Sequence, residues 1–151
     1  MELKDILQDR NIRIGVDATD KLDALRQMCD VLEENGLVTS AEAFYADVLE
    51  REKLGPTCIG SGVAIPHGKS AQAKQPTVVI FKLTNGVAWE SHMGDDEKAD
   101  VVILFCVSDD NEGAQEHLKL IAEVARKLAH EESLEALHRA QSAADVVAAF
   151  S

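Results

Sequence analysis

Early in the chain, apolar positions recur at helical spacing. From Asp20 to Glu34, Leu22, Leu25, Cys29 and Leu32 fall three and four residues apart. That spacing predicts a helix with one apolar stripe. Asn35 and Gly36 then supply a left-handed stop. The run TSAE, residues 39–42, reads as a capping box that opens a second helix. On that helix Phe44, Val48 and Arg51 share one face, at spacings of four and three. Ahead of both, MELKDIL places Leu3, Ile6 and Leu7 on one side of a short helix, and NIRIGV alternates as a short strand should.

The pattern changes after residue 56. TCIGSGVAI (57–65) is strand-like but broken by Gly60 and Gly62, and TVVIFKLT (77–84) reads as a strand. DVVILFCVS (100–108) is apolar on both faces, the mark of a central, covered strand. From Ala114 to His130 a long helix carries Leu118, Ile121, Ala125 and Leu128 on one stripe. Two short helices close the chain, Ser133 to Ala140 and Ala143 to Phe150, the second capped by Ser142. The order is strand, two helices, about three strands, then helices. It predicts an α/β fold, a three-layer α/β/α sandwich whose mixed sheet lies between helices. The 151 residues form a single domain, 1–151, large enough to fold without a metal or a disulfide.

Composition narrows the function. Apolar residues make up 46%, so the chain folds, and the net charge of −12 argues against nucleic acid and anionic membranes as partners. The longest apolar run, VVILFCV, is too short for direct membrane insertion, and MELKDILQDR lacks the features of a signal peptide. A cytoplasmic protein is expected. Three cysteines without C-x-x-C spacing, Cys29, Cys58 and Cys106, exclude a disulfide framework and a thiolate zinc site.

The chemistry concentrates in GVAIPHGKS, residues 62–70. Pro66 fixes its own φ and drives Ile65 towards extended geometry, so the strand arrives rigidly at His67. Gly68 allows positive φ or the close approach of a bulky group. A histidine on a stiff stalk with open space before it suits nucleophilic work. Near neutral pH an unperturbed imidazole is largely deprotonated, and one nitrogen can attack phosphorus while the other keeps a proton. No P-loop or kinase motif is present, so a nucleotide is not the expected donor.

GSGVAIPHGKS resembles the active-site signature of the fructose- and mannitol-type IIA components of the bacterial phosphoenolpyruvate-dependent sugar phosphotransferase system, the EIIA type-2 family. LEREKLGPTCIG leads into it with family-like spacing, VAWES follows the next strand, and EHLKLIAEVARKL matches the late helix. The resemblance covers nearly the whole chain and leans to the fructose type. It implies a phosphotransferase in which His67 is phosphorylated by the phosphocarrier protein HPr and passes the group to a cysteine of a IIB component. It implies that His117 helps hold the phosphoryl group and that Arg51 lies close to the same pocket. No cofactor and no metal is implied. Because the chain ends at Ser151, IIB and the membrane IIC are expected as separate chains. The alternative is a nitrogen-type regulatory IIA paralogue, phosphorylated but acting on regulatory protein partners.

The residue types fit those roles. Phosphoryl transfer is catalysed mostly by positioning and electrostatics. His117 falls in the first turn of its helix, one position from the Leu118 stripe, near free backbone N–H groups. The planar fork of Arg51 suits phosphate oxygens, although a cation at a helix C-terminus is also an ordinary structural feature. His92 reads as a surface residue in a polar loop, and His130 and His138 as surface or capping residues. Cys58 is expected on a covered strand, Trp89 as a core or edge anchor, and Thr57 and Ser61 as possible phosphoryl hydrogen-bonders. The acidic run from Asp109 to Glu116 is expected to point outward and to favour a basic partner face.

Overall fold

The computed structural model describes residues 3–73, 77–90, 97–108 and 111–150, leaving aside the side chains of 3, 4, 111–114, 116 and 117. In chain order come helix α1 (Leu3–Ile6), a 3-10 turn (Asp9–Asn11), strand β1 (Ile12–Val16), and helices α2 (Lys21–Glu34) and α3 (Ala41–Glu52). Strands β2 (Cys58–Gly60), β3 (Val63–Ala64), β4 (His67–Ser70), β5 (Thr77–Trp89) and β6 (Glu97–Ser108) follow. Helices α4 (Asn111–Leu128), α5 (Glu131–Arg139) and α6 (Ala143–Ala149) end the chain.

Among the described residues the strands form one six-stranded sheet, ordered β1-β5-β6-β3-β2, with β4 also paired to β6. It is mixed, as expected. β1 is parallel to β5, β3 and β4 are parallel to β6, and the β5–β6 and β2–β3 pairs are antiparallel. Side chains alternate across it. Val79, Phe81, Leu83, Val102, Leu104 and Cys106 pack under α2 and α3. Val78, Ile80, Val101, Ile103 and Phe105 pack against the residues of α4, α5 and α6 on the other side. The two cores on opposite faces of the sheet make the three-layer α/β/α sandwich.

Local chemistry sets the helix ends. Asp20 caps α2 by accepting from the Asp23 N–H at 2.8 Å. Gly36, at φ +72°, closes it in a Schellman motif, Leu37 N–H to Leu32 O at 2.8 Å and Gly36 N–H to Glu33 O at 3.0 Å. Ser142 caps α6 as expected. At α3 the cap is Ser40, not Thr39: the Ser40 hydroxyl accepts from Ala43 N–H, while Thr39 bonds to Gln72.

Two stripes differ from the sequence reading. On α2 the buried face is Ala24, Leu25, Met28, Cys29, Val31 and Leu32, and Leu22 stands 50% exposed. On α4 the buried line is Leu120, Val124 and Leu128, while Leu118 is 65% exposed and Ala125 is also exposed. Position 117 lies on α4, three residues before Leu120.

Candidate functional site

The segment 57–70 does not form one broken strand that ends at His67. β2 and β3 make a hairpin whose turn, Gly60, Ser61 and Gly62, holds φ of +89°, +56° and +77°. Glycine tolerates this backbone, and Ser61 carries its strain. Past the hairpin, β3 and β4 both run along β6, and the register is unchanged on either side of Ile65 and Pro66. Pro66 interrupts the ladder because it has no N–H to donate, yet its carbonyl still accepts from Phe105 N–H at 3.0 Å. Ile65 is pinned from the other side, its N–H donating to Thr57 O at 2.9 Å. His67 therefore opens a strand whose approach is fixed on both edges.

Alternation then aims the ring. Gly68 faces α3, and the faces of Phe44 and Val48 lie so close that a β-carbon there would come within 2.7 Å of Phe44 Cε2 and 2.8 Å of Val48 Cγ2. Its backbone is not left-handed; it serves close approach alone. His67 points to the opposite face, where its register partner Phe105 lies with ring centroids 5.3 Å apart. Phe105 belongs to the core that contains Leu120 of α4.

Seating Phe44 and Val48 on Gly68 also carries Arg51, one turn further along the same face of α3, to the edge of the site. Arg51 Nη1 donates to Gly55 O at 3.3 Å. Its charge is felt at the imidazole. Burial, then the Arg51 guanidinium, lower the His67 pKa; the carbonyls of Ile65 and Pro66 and the Glu52 carboxylate oppose them without prevailing. The ring is thus held neutral at neutral pH. Nδ1 is shut off from solvent and meets no partner at hydrogen-bonding geometry, those two carbonyls included.

His117 lies on α4, but its side chain falls outside the described residues, as do His92 and the acidic side chains at 109–114 and 116. Thr57 is occupied: its hydroxyl donates to Glu52 Oε1 at 2.6 Å and accepts from Trp89 Nε1–H at 3.1 Å. Trp89 is a core anchor, fully buried. Ser61 contributes its carbonyl, 2.7 Å from His138 Nε2, and His138 Nδ1 lies 3.6 Å from Asp100 Oδ2. His138 thus ties α5 to the β2–β3 turn and is more than a surface residue. Cys58 is buried with Sγ 3.5 Å from Glu97 Oε2, and burial, reinforced by Glu97, pushes its thiol up. Both effects disfavour the thiolate, which is the nucleophilic form.

The sequence reading missed Glu52 and Lys21. The Glu52 side chain is 6% exposed, and Lys21 Nζ lies 2.7 Å from its Oε2 and 2.5 Å from Glu90 Oε2. The one local sign was a carboxylate in the last turn of a helix, where the dipole disfavours it.

Comparison with known proteins agrees with this architecture. Residues 5–151 match the family described as "Phosphoenolpyruvate-dependent sugar phosphotransferase system, EIIA 2". A fructose-like EIIA component from Escherichia coli is 31% identical over 128 residues, 85% of this chain and 84% of its own length. The nitrogen regulatory protein IIA-Ntr from Neisseria meningitidis superposes with a TM-score of 0.88 at 26% identity, over 99% of each chain. A complex of Escherichia coli IIA-mannitol with phosphorylated IIB-mannitol gives 0.77 at 26% identity, over 95% of each chain. Among the described residues no helix is long and apolar enough to cross a membrane. The chain belongs to the EIIA type-2 family of the phosphoenolpyruvate-dependent sugar phosphotransferase system.

Proposed function

We propose that His67 is the phosphoryl carrier of this chain. The observation that supports it most directly is a neutral imidazole with Nδ1 enclosed, at the start of a strand and under the charge of Arg51. Nε2 is then the nitrogen that meets a donor. Its lone pair forms the new bond to phosphorus as the bond from phosphorus to the donor breaks, and Nδ1 keeps the ring proton. Nothing is oxidised or reduced. Arg51 offsets charge on the phosphoryl oxygens, and His117, one turn before Leu120 on α4, donates to them. Phosphorylated HPr is the donor and a cysteine of a IIB component the acceptor. The mannitol IIA–IIB complex supports that pairing, and the fructose-like relative supports a fructose-like sugar. No metal or cofactor enters the transfer.

The test is transfer of labelled phosphate from phosphoenolpyruvate through the general proteins of the system to this chain. His67→Ala should take up no label; label retained by that variant overturns the assignment.

A second reading is favoured by the 0.88 superposition on IIA-Ntr, higher than the 0.77 of the mannitol complex. It keeps the phosphohistidine and replaces IIB by a regulatory protein partner. Reconstitution with membranes that contain candidate IIB and IIC separates the two, because only the transport component drives sugar phosphorylation.

A further inference from the structure

The last two residues of α3 act on His67 with opposite sign. Arg51 disfavours the imidazolium and Glu52 favours it. A buried carboxylate is a poor neighbour for a phosphoryl group that brings about two negative charges. Left uncompensated, it would oppose the phosphorylated state through a poorly screened interior.

The structure supplies the compensation from a distant part of the chain. Lys21, the first residue of α2, reaches across to Glu52 Oε2 at 2.7 Å. Its ammonium also lies 5.1 Å from the centre of the Trp89 ring. Burial alone would lower the Lys21 ammonium, but the Glu52 and Glu90 carboxylates outweigh it and hold the pKa above the ordinary lysine value. The contact is ionic, since Glu52 Oε2 has no hydrogen bond of good geometry. Direction comes from the other oxygen. Glu52 Oε1 is fixed by Thr57, Thr57 is fixed by Trp89, and the Thr57 carbonyl holds Ile65, two residues before His67.

We infer that Lys21 is a positioning residue for the His67 site: its ammonium offsets part of the Glu52 charge, so that a doubly negative group can rest on the imidazole. The inference rests on the phosphohistidine reading above. A mere structural tie between α2 and α3 would affect stability and nothing else. Charge compensation also requires that removing Lys21 and removing Glu52 shift the site in opposite directions.

The experiment uses the full chain as Lys21→Met, Lys21→Arg and Glu52→Gln. NMR titration of the His67 ring in unphosphorylated protein is the first readout, and it involves no phosphoryl transfer. The midpoint should rise in Lys21→Met, fall in Glu52→Gln and stay near the parent in Lys21→Arg. The second readout is the phosphohistidine level at equilibrium with a fixed ratio of phosphorylated to free HPr. That equilibrium constant should drop on the order of tenfold in Lys21→Met and rise in Glu52→Gln. Should Lys21→Met fail to fold, Lys21→Gln removes the same charge and carries the test, while Glu52→Gln keeps an oxygen acceptor for Thr57 and leaves Lys21 paired with Glu90. Unchanged midpoints and unchanged levels in a parent protein that does take up phosphate would overturn the role of Lys21. No uptake by the parent would instead overturn the phosphohistidine reading, and the titration would still decide the coupling.

Discussion

The ring of Phe44 occupies the space that a β-carbon on Gly68 would need, its Cε2 lying 2.7 Å from that position. Phe44 is fully buried and cannot swing away. Gly68→Ala should therefore push α3 off the sheet at a cost of about 1–3 kcal/mol. It should also retract Arg51 from His67, so phosphoryl uptake should fall further than stability alone accounts for. Urea unfolding beside the labelling assay checks both.

His67 gives the fold a predictable pH response. Its folded pKa lies below the ordinary value of about 6.5, so the unfolded ring binds a proton first as pH falls. Stability contributed by this group is full above that value, and is lost as pH drops through the folded pKa. Arg51→Gln removes a cation that lowers the pKa. It should raise the NMR midpoint of His67 and narrow the window of loss. Urea midpoints between about pH 7 and 5 should slope less in His67→Gln than in the parent.

Two thiols should be inert. Burial, with a contribution from nearby Asp30, pushes Cys29 up to about 12, and burial with neighbouring Cys29 does the same for Cys106. The thiolate is the reactive form. Iodoacetamide at mildly alkaline pH should leave both unmodified in the folded protein, and label all three cysteines after denaturation. Peptide mass spectrometry reads the result. Modification of Cys106 in folded protein would contradict the packing of β6.

The helix stripes can be tested by paired truncation. Leu25→Ala and Leu120→Ala remove fully or almost fully buried side chains and should cost about 2–5 kcal/mol each. Leu22→Ala and Leu118→Ala should stay within about 0.5 kcal/mol. Chemical denaturation of the four variants distinguishes the observed faces from those that spacing alone implies.

Those stripes show where a sequence speaks and where it does not. Asn35-Gly36 was legible because a helix stop is local backbone chemistry. The shared face of Phe44, Val48 and Arg51 was legible because both partners of the spacing lie on one element. Leu22, Leu118 and Ala125 misled because an apolar letter does not say which side the sheet lies on. β2, β3 and β4 are each too short to show a period, so their hairpin and the restart at His67 read as one broken strand. β5 runs on past Thr84, where the sequence reading ended it, and only that extension brings Trp89 to Thr57. The Lys21–Glu52 pair joins positions remote in sequence, and a lysine at the start of a helix reads as solvent-facing.

The central place of β6 has a consequence for how the chain matures. β3, β4 and β5 all pair with β6, which follows them in sequence. A growing polypeptide leaving the ribosome must carry these segments without their template until residue 108 has emerged. Closure of the sheet is thus a late, non-local event, slower than in a helical bundle of equal length. The hairpin and the histidine that follows it take their final geometry only then.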